Sequence, residues 1–212
     1  QVTDSHKVLL TAIAVFAFGF ANAQEVKFGA KAALDVSTLS DSESKALIGF
    51  QVGGFAEIKL TDKFALQPEL LFSTQGGKFE DSENYYGINT TTKVTTRLNY
   101  INLPIMAKYF ATEKLSFEFG PQVGFLVSAN SKIENSRTFM GKTETTNRDV
   151  DVKSSVTSTT FGLNVGAGFD VTKNINVGLR YNLGLTKVNK NSISGESDTK
   201  NNVFSLSLGY KF

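Results

Sequence analysis

The chain has 212 residues, of which 41% are hydrophobic and 20% charged, with 22 Lys and Arg against 20 Asp and Glu. That length suits one domain with a substantial interior, and a net charge of +2 gives no electrostatic reason to expect a nucleic-acid partner. The absence of Cys excludes a disulfide framework and thiolate chemistry.

The chain opens with Lys7, an apolar run from Val8 to Ala21, and the small-residue end Ala21-Asn22-Ala23. This is the layout of a secretory signal peptide, cleaved after Ala23, which predicts a leader over 1–23 and one barrel domain over 24–212. The run is shorter than the roughly 20 residues a membrane-spanning helix needs. Asp4 and the missing initiator Met depart from an ideal leader. Cleavage removes one Lys and one Asp and leaves the charge balance unchanged.

Beyond residue 24 no apolar stripe repeats at helical spacing, and period two recurs instead. It predicts eight strands, at Val26–Val36, Leu47–Leu60, Phe64–Gln75, Arg97–Phe110, Leu115–Val127, Thr159–Val171, Ile175–Val188 and Asn202–Phe212. Three connections are tight and polar: Thr61-Asp62-Lys63, Ala111-Thr112-Glu113-Lys114 and Thr172-Lys173-Asn174. Four are long and hydrophilic, spanning 37–46, 76–96, 128–158 and 189–201. Long and short alternate strictly. An up-and-down barrel would then carry every long loop at one end, the asymmetry of bacterial outer-membrane barrels. The predicted fold class is all-β, an eight-stranded antiparallel up-and-down transmembrane β-barrel.

Which face meets lipid is a separate question, because a soluble barrel with an apolar cavity has the same periodicity. Three features favour apolar-out. Gly and small polar residues dominate the other face, as in Gly162, Asn164, Gly166, Gly168 and Asp170. Its charges are few and of both signs: Lys27, Lys31, Asp35, Glu57, Lys59, Glu69, Lys108, Glu118, Asp170 and Arg180. Aromatics gather near strand ends, with Phe64, Tyr109, Phe169, Tyr210 and Phe212 at the turn side and Phe72, Phe125 and Phe161 toward the loops. Phe55, Leu71, Met106 and Leu126 break the pattern by falling on the inner face.

Val26-Lys27-Phe28-Gly29-Ala30-Lys31, Gly49-Phe50-Gln51-Val52-Gly53, Leu66-Gln67-Pro68-Glu69-Leu70-Leu71-Phe72-Ser73, Leu98-Asn99-Tyr100-Ile101-Asn102-Leu103-Pro104 and Phe119-Gly120-Pro121-Gln122 follow the leader. In these segments the chain resembles the PorT-like outer-membrane β-barrel family of Bacteroidetes. The resemblance implies an eight-stranded barrel of the OmpA and OmpX kind, inserted by the barrel-assembly machinery. It implies no particular activity.

Catalysis finds little support. The single His, His6, lies in the predicted leader, which leaves the mature chain without imidazole chemistry. Gly141-Lys142-Thr143 resembles the end of a phosphate-binding loop, but Ser136 stands where the first Gly is required. No catalytic, cofactor-binding or metal site is expected, and no cofactor. Glu57, Glu69, Lys108, Glu118 and Arg180 are read as a lumen charge network, either a structural filling or a narrow ion path. Tyr85, Tyr86, Phe139 and Met140, beside Lys132, Arg137, Lys142 and Arg148, are the candidate loop interaction site. Tyr210 and Phe212 are the candidate C-terminal assembly signal. The expected partners are outer-membrane lipid, the barrel-assembly machinery and an extracellular protein or surface partner, with the protein a monomer. A narrow channel or solute carrier is the alternative role, and a soluble exported lipid-binding barrel the alternative fold setting.

Overall fold

The computed structural model describes residues 25–40, 44–86, 88–189 and 199–212. The predicted leader lies outside them. The strands are β1 (Val26–Leu39), β2 (Lys45–Lys59), β3 (Phe64–Tyr85), β4 (Ile88–Phe110), β5 (Leu115–Phe139), β6 (Lys142–Asp151), β7 (Thr159–Asp170), β8 (Ile175–Gly184) and β9 (Asn201–Lys211). All pairings are antiparallel. Eight strands close a ring, because β4 pairs with β5 and β9 pairs with both β8 and β1. β6 pairs only with the upper half of β5 and stands outside the ring.

The alternation of the sequence is resolved as apolar-out. Phe28, Leu34, Ile48, Leu70, Phe119, Val165, Leu208 and their neighbours on alternate positions are exposed around the ring. A continuous apolar belt of this kind is incompatible with a wet surface and is the lipid-facing band of a membrane barrel. Ring pairs Phe64–Tyr109 and Tyr210–Phe212, with centroids 5.2 and 5.7 Å apart, stand at its turn-side border.

The three tight turns share one construction. Thr61 Oγ1 accepts from the backbone N–H groups of Lys63 and Phe64, Thr112 Oγ1 from Lys114 and Leu115, and Thr172 Oγ1 from Asn174 and Ile175. In each, two successive N–H groups before the turn converge on one carbonyl after it, that of Phe64, Leu115 or Ile175. Threonine is at that position because its hydroxyl satisfies donors that the turn leaves unpaired.

The long connections differ from expectation. Residues 76–96 are the upper half of a β3–β4 hairpin, and 128–158 hold the top of β5, β6 and a 3-10 turn at Lys153–Ser155. β8 ends at Gly184, short of the predicted Val188. Above the ring the upper parts of β3, β4, β5 and β6 form a four-stranded sheet. Its registers run from Lys78–Thr95–Lys132–Asp149 at the base to Tyr85–Ile88–Phe139–Lys142 at the tip. These eight rows amount to roughly 25 Å of strand.

Candidate functional site in the lumen and the extracellular sheet

The lumen holds three layers of side chains. Nearest the short turns is a charge network. Arg180 on β8 donates from Nη1 and Nη2 to Glu69 on β3 at 2.8 and 2.9 Å, and from Nε to Glu118 on β5 at 2.7 Å. Lys31 on β1 adds a 3.2 Å contact to Glu69. Gln67 links this group to a second, donating to Glu69 at 2.6 Å and accepting from Lys108 at 3.1 Å. Lys108 donates to Glu57 at 2.7 Å, and Lys211 bridges Glu57 and Asp170 at 3.0 and 3.3 Å.

Four cations thus face four carboxylates, all within one connected set. The five residues predicted as a lumen network, Glu57, Glu69, Lys108, Glu118 and Arg180, are all buried in it. Lys31, Lys211 and Asp170 complete it. The part played by Lys211 is missed by attention to the apolar face of the last strand, although its position opposite Tyr210 and Phe212 already aims it inward. Burying these charges is tolerable only because every one is paired.

Above the charges lies a neutral layer. Asn182 donates to Asn164 and Asn164 to Gln122, while Ser73 accepts from both Asn102 and Gln75, and Asn201 donates to Gln75. Tyr100 Oη and Asn201 Oδ1 have no protein partner, and both residues line a cavity of about 20 Å³, the size of a buried water site. Asp35, higher on β1 than Lys31, accepts from Gln51 at 2.8 Å, and Gln51 also donates to Ser205.

An apolar cap closes the mouth at the long-connection end. Leu98, Tyr100, Leu126, Ala129, Val156 and Val188 form one buried cluster, with Leu39 and Val152 packed on it. The segment around the 3-10 turn is tied across the opening by Val152 N–H to Ala129 O, Thr157 N–H to Val188 O and Leu126 N–H to Ser158 O. The alternation of the sequence does not mark this cap as a unit. Its traces are Leu126 on the inner face, and Val152 and Val156 close to Val150 in a stretch that is otherwise polar. At the opposite mouth a vestibule of about 840 Å³ is lined by charged residues from all three tight turns, and Lys211 lies at its inner end.

The extracellular sheet carries the other candidate residues. Tyr85, Ile88 and Phe139 stand side by side in the tip row, on the same face as Phe79, Val94 and Ile133 near the base. Tyr85 and Tyr86 rings meet edge to face at 4.5 Å, and Tyr86 and Met140 are 86% and 87% exposed. The four predicted loop residues are therefore brought together at one tip. Tyr210 and Phe212 lie at the opposite end of the barrel, on its lipid-facing side.

The family model for the outer membrane protein beta-barrel domain matches residues 20–190. The chain belongs to that family. The barrel is accordingly a resident of the outer membrane of a Gram-negative bacterium. It is similar to the crystal structure of Ail, the attachment invasion locus protein of Yersinia pestis, at 14% identity and a TM-score of 0.43, covering 89% of this chain and 99% of that one. It is also similar to Neisserial surface protein A at 15% identity and a TM-score of 0.44, covering 90% and 100%. Similarity to CarO of Acinetobacter baumannii is at 13% identity and a TM-score of 0.42, covering 86% and 97%. No curated protein matches the chain.

Proposed function

We propose that this barrel is a non-catalytic, non-conducting outer-membrane protein that works through its extracellular sheet. The observation that carries the reading is the filled lumen: paired charges, then amides, then an apolar cap, with cavities of about 20 and 10 Å³ among the described residues that line it. A path for solute would have to break ion pairs and lift the cap. The four-stranded sheet, by contrast, stands clear of the membrane and ends in exposed aromatics, where a partner can reach it.

The motif resemblance supports placing the protein in the PorT-like branch of Bacteroidetes barrels, exported by a leader over residues 1–23. Tyr210 and Phe212, at the short-turn end, are the proposed signal to the barrel-assembly machinery, and the mature barrel is proposed to act as a monomer.

Purified wild-type protein in planar bilayers, with liposome swelling alongside, tests the reading. Silence in both is expected. A steady wild-type conductance, or swelling with small sugars, would overturn it in favour of a narrow channel. Photo-crosslinkers placed at Tyr85 and Phe139 on intact cells then report what the sheet touches.

A further inference from the structure

Both hairpins of the extracellular sheet end in two-residue connections, and both place a bulky side chain where the backbone is left-handed. Tyr86 and Met140 each have φ of 47°, with Gly141 following Met140 at 76°. Connections of this type favour Asn, Asp or Gly at the first position, because a larger side chain is strained there. Two strained bulky residues, at equivalent places on neighbouring hairpins and almost fully exposed, are not explained by stability of the sheet.

The register gathers further apolar surface behind them, since Tyr85, Ile88 and Phe139 occupy the tip row. The charges closest to the tip balance, with Arg137 and Lys142 against Glu83 and Glu144. We propose that the tip is a wedge for a second, opposing lipid bilayer, with Tyr86, Met140, Tyr85 and Phe139 entering its interface. The proposal rests on the reading of the sheet as the working surface and adds what that surface meets.

Shape and area favour lipid over protein. The tip is four strands wide, about 15 Å. A specific protein interface takes roughly 20–30 residues a side, and the tip row with the described turn residues supplies seven. A bilayer interface accepts a narrow wedge without a matching groove, and aromatic side chains with one polar atom suit its depth. Edge-to-edge strand addition is a poor rival, because both free edges are blunted by charge, β6 by Lys142, Glu144, Arg148, Asp149 and Asp151 and the upper half of β3 by Glu80, Asp81 and Glu83. Charge balance at the tip predicts binding to neutral lipid with little dependence on salt.

The chain contains no Trp, so Met140→Trp creates a sole reporter. In nanodisc-embedded protein its emission should shift to the blue when neutral phosphatidylcholine vesicles are added, and brominated lipid should quench it. The Tyr86→Asn/Met140→Asn double variant installs the residue that the turn favours, so it keeps the sheet. Its vesicle-bound fraction should fall about tenfold or more. An unchanged emission with excess vesicles overturns the wedge, as does a double variant that binds like wild type. Tip crosslinks to a surface protein without vesicle binding would overturn the wedge and leave a sheet-mediated role standing. Absence of both would remove that role as well.

Discussion

Arg180 and Glu69 are 111 residues apart in sequence and meet across the lumen through two parallel hydrogen bonds of 2.8 and 2.9 Å. The fork geometry is specific to a guanidinium facing a carboxylate. The remaining Arg180 nitrogen, Nε, holds Glu118, so one side chain ties β8 to both β3 and β5.

Removing that side chain strands buried Glu118 and leaves buried Glu69 with Lys31 and Gln67 alone. Arg180→Ala should therefore destabilise the barrel by about 3–5 kcal/mol, measured as the urea midpoint of the heat-modifiable gel band. Arg180→Lys should recover only part of this, because a single ammonium cannot serve Glu69 at two points and Glu118 at a third. The double variant Arg180→Ala/Glu69→Ala should be milder than the Glu69→Ala and Arg180→Ala costs added together. Full additivity would argue against a connected network.

The cap and the network are two barriers in series. Leu98→Ala empties a fully buried position and should cost about 2–5 kcal/mol, yet remain silent in planar bilayers because the charges beneath still fill the bore. Leu98→Ala combined with Arg180→Ala should show current. If the cap variant alone conducts as well as the combination, the charge layer is not a barrier.

Gly76 joins the ring to the extracellular hairpin. Its φ is 141°, and Ser37 Oγ both accepts from its N–H and donates to its carbonyl at 2.9 Å. A Cβ there would run into the Thr96 carbonyl oxygen. Gly76→Ala should cost about 1–3 kcal/mol from backbone strain, with the loss read first as faster amide exchange in rows Lys78–Thr95 and Phe79–Val94.

At the base of the extracellular sheet, Glu80 accepts from Lys45 at 2.7 Å, with Lys93 3.7 Å away. The Lys45 hydrogen bond, and then the nearby positive charges, hold its carboxyl below its ordinary 4.5. A lowered folded-state value contributes stability above the unfolded value and loses it as pH falls through the folded one. Amide protection around Lys45 and Lys78 should therefore hold its neutral-pH level down to about pH 4.5 and decline below that. Glu80→Gln should abolish this dependence. A decline centred near neutrality would exclude Glu80 as its source.

Period two made the ring legible because lipid and lumen demand opposite chemistry on alternate residues. The upper halves of β3, β4 and β5 have water on both faces, so Thr90, Thr91 and Thr92 alternate with nothing and read as loop. β6, rich in Thr and charges, was invisible for the same reason. Val188 extended the seventh strand on paper, since an apolar residue in phase looks like strand whether it meets lipid or a cap. The inward charges could be named from spacing, but their pairing could not. Glu57 and Lys211 are 154 residues apart, and only ring closure brings them within 3.0 Å.

That closure has a consequence for how the molecule comes together. β1 and β9 are the seam, joined from Gly29–Lys211 to Leu39–Asn201. Within the network, the strands between them supply Glu57, Glu69, Glu118 and Asp170 but only Lys108 and Arg180, an interior two positive charges short. Lys31 arrives on one seam strand and Lys211 on the other. In an unzipped intermediate both lysines are still on the sheet, but Lys211 is parted from Glu57 on the far side of the seam, and the final docking step joins them. The barrel carries its own latch, thrown only when the two ends of the sheet have found each other.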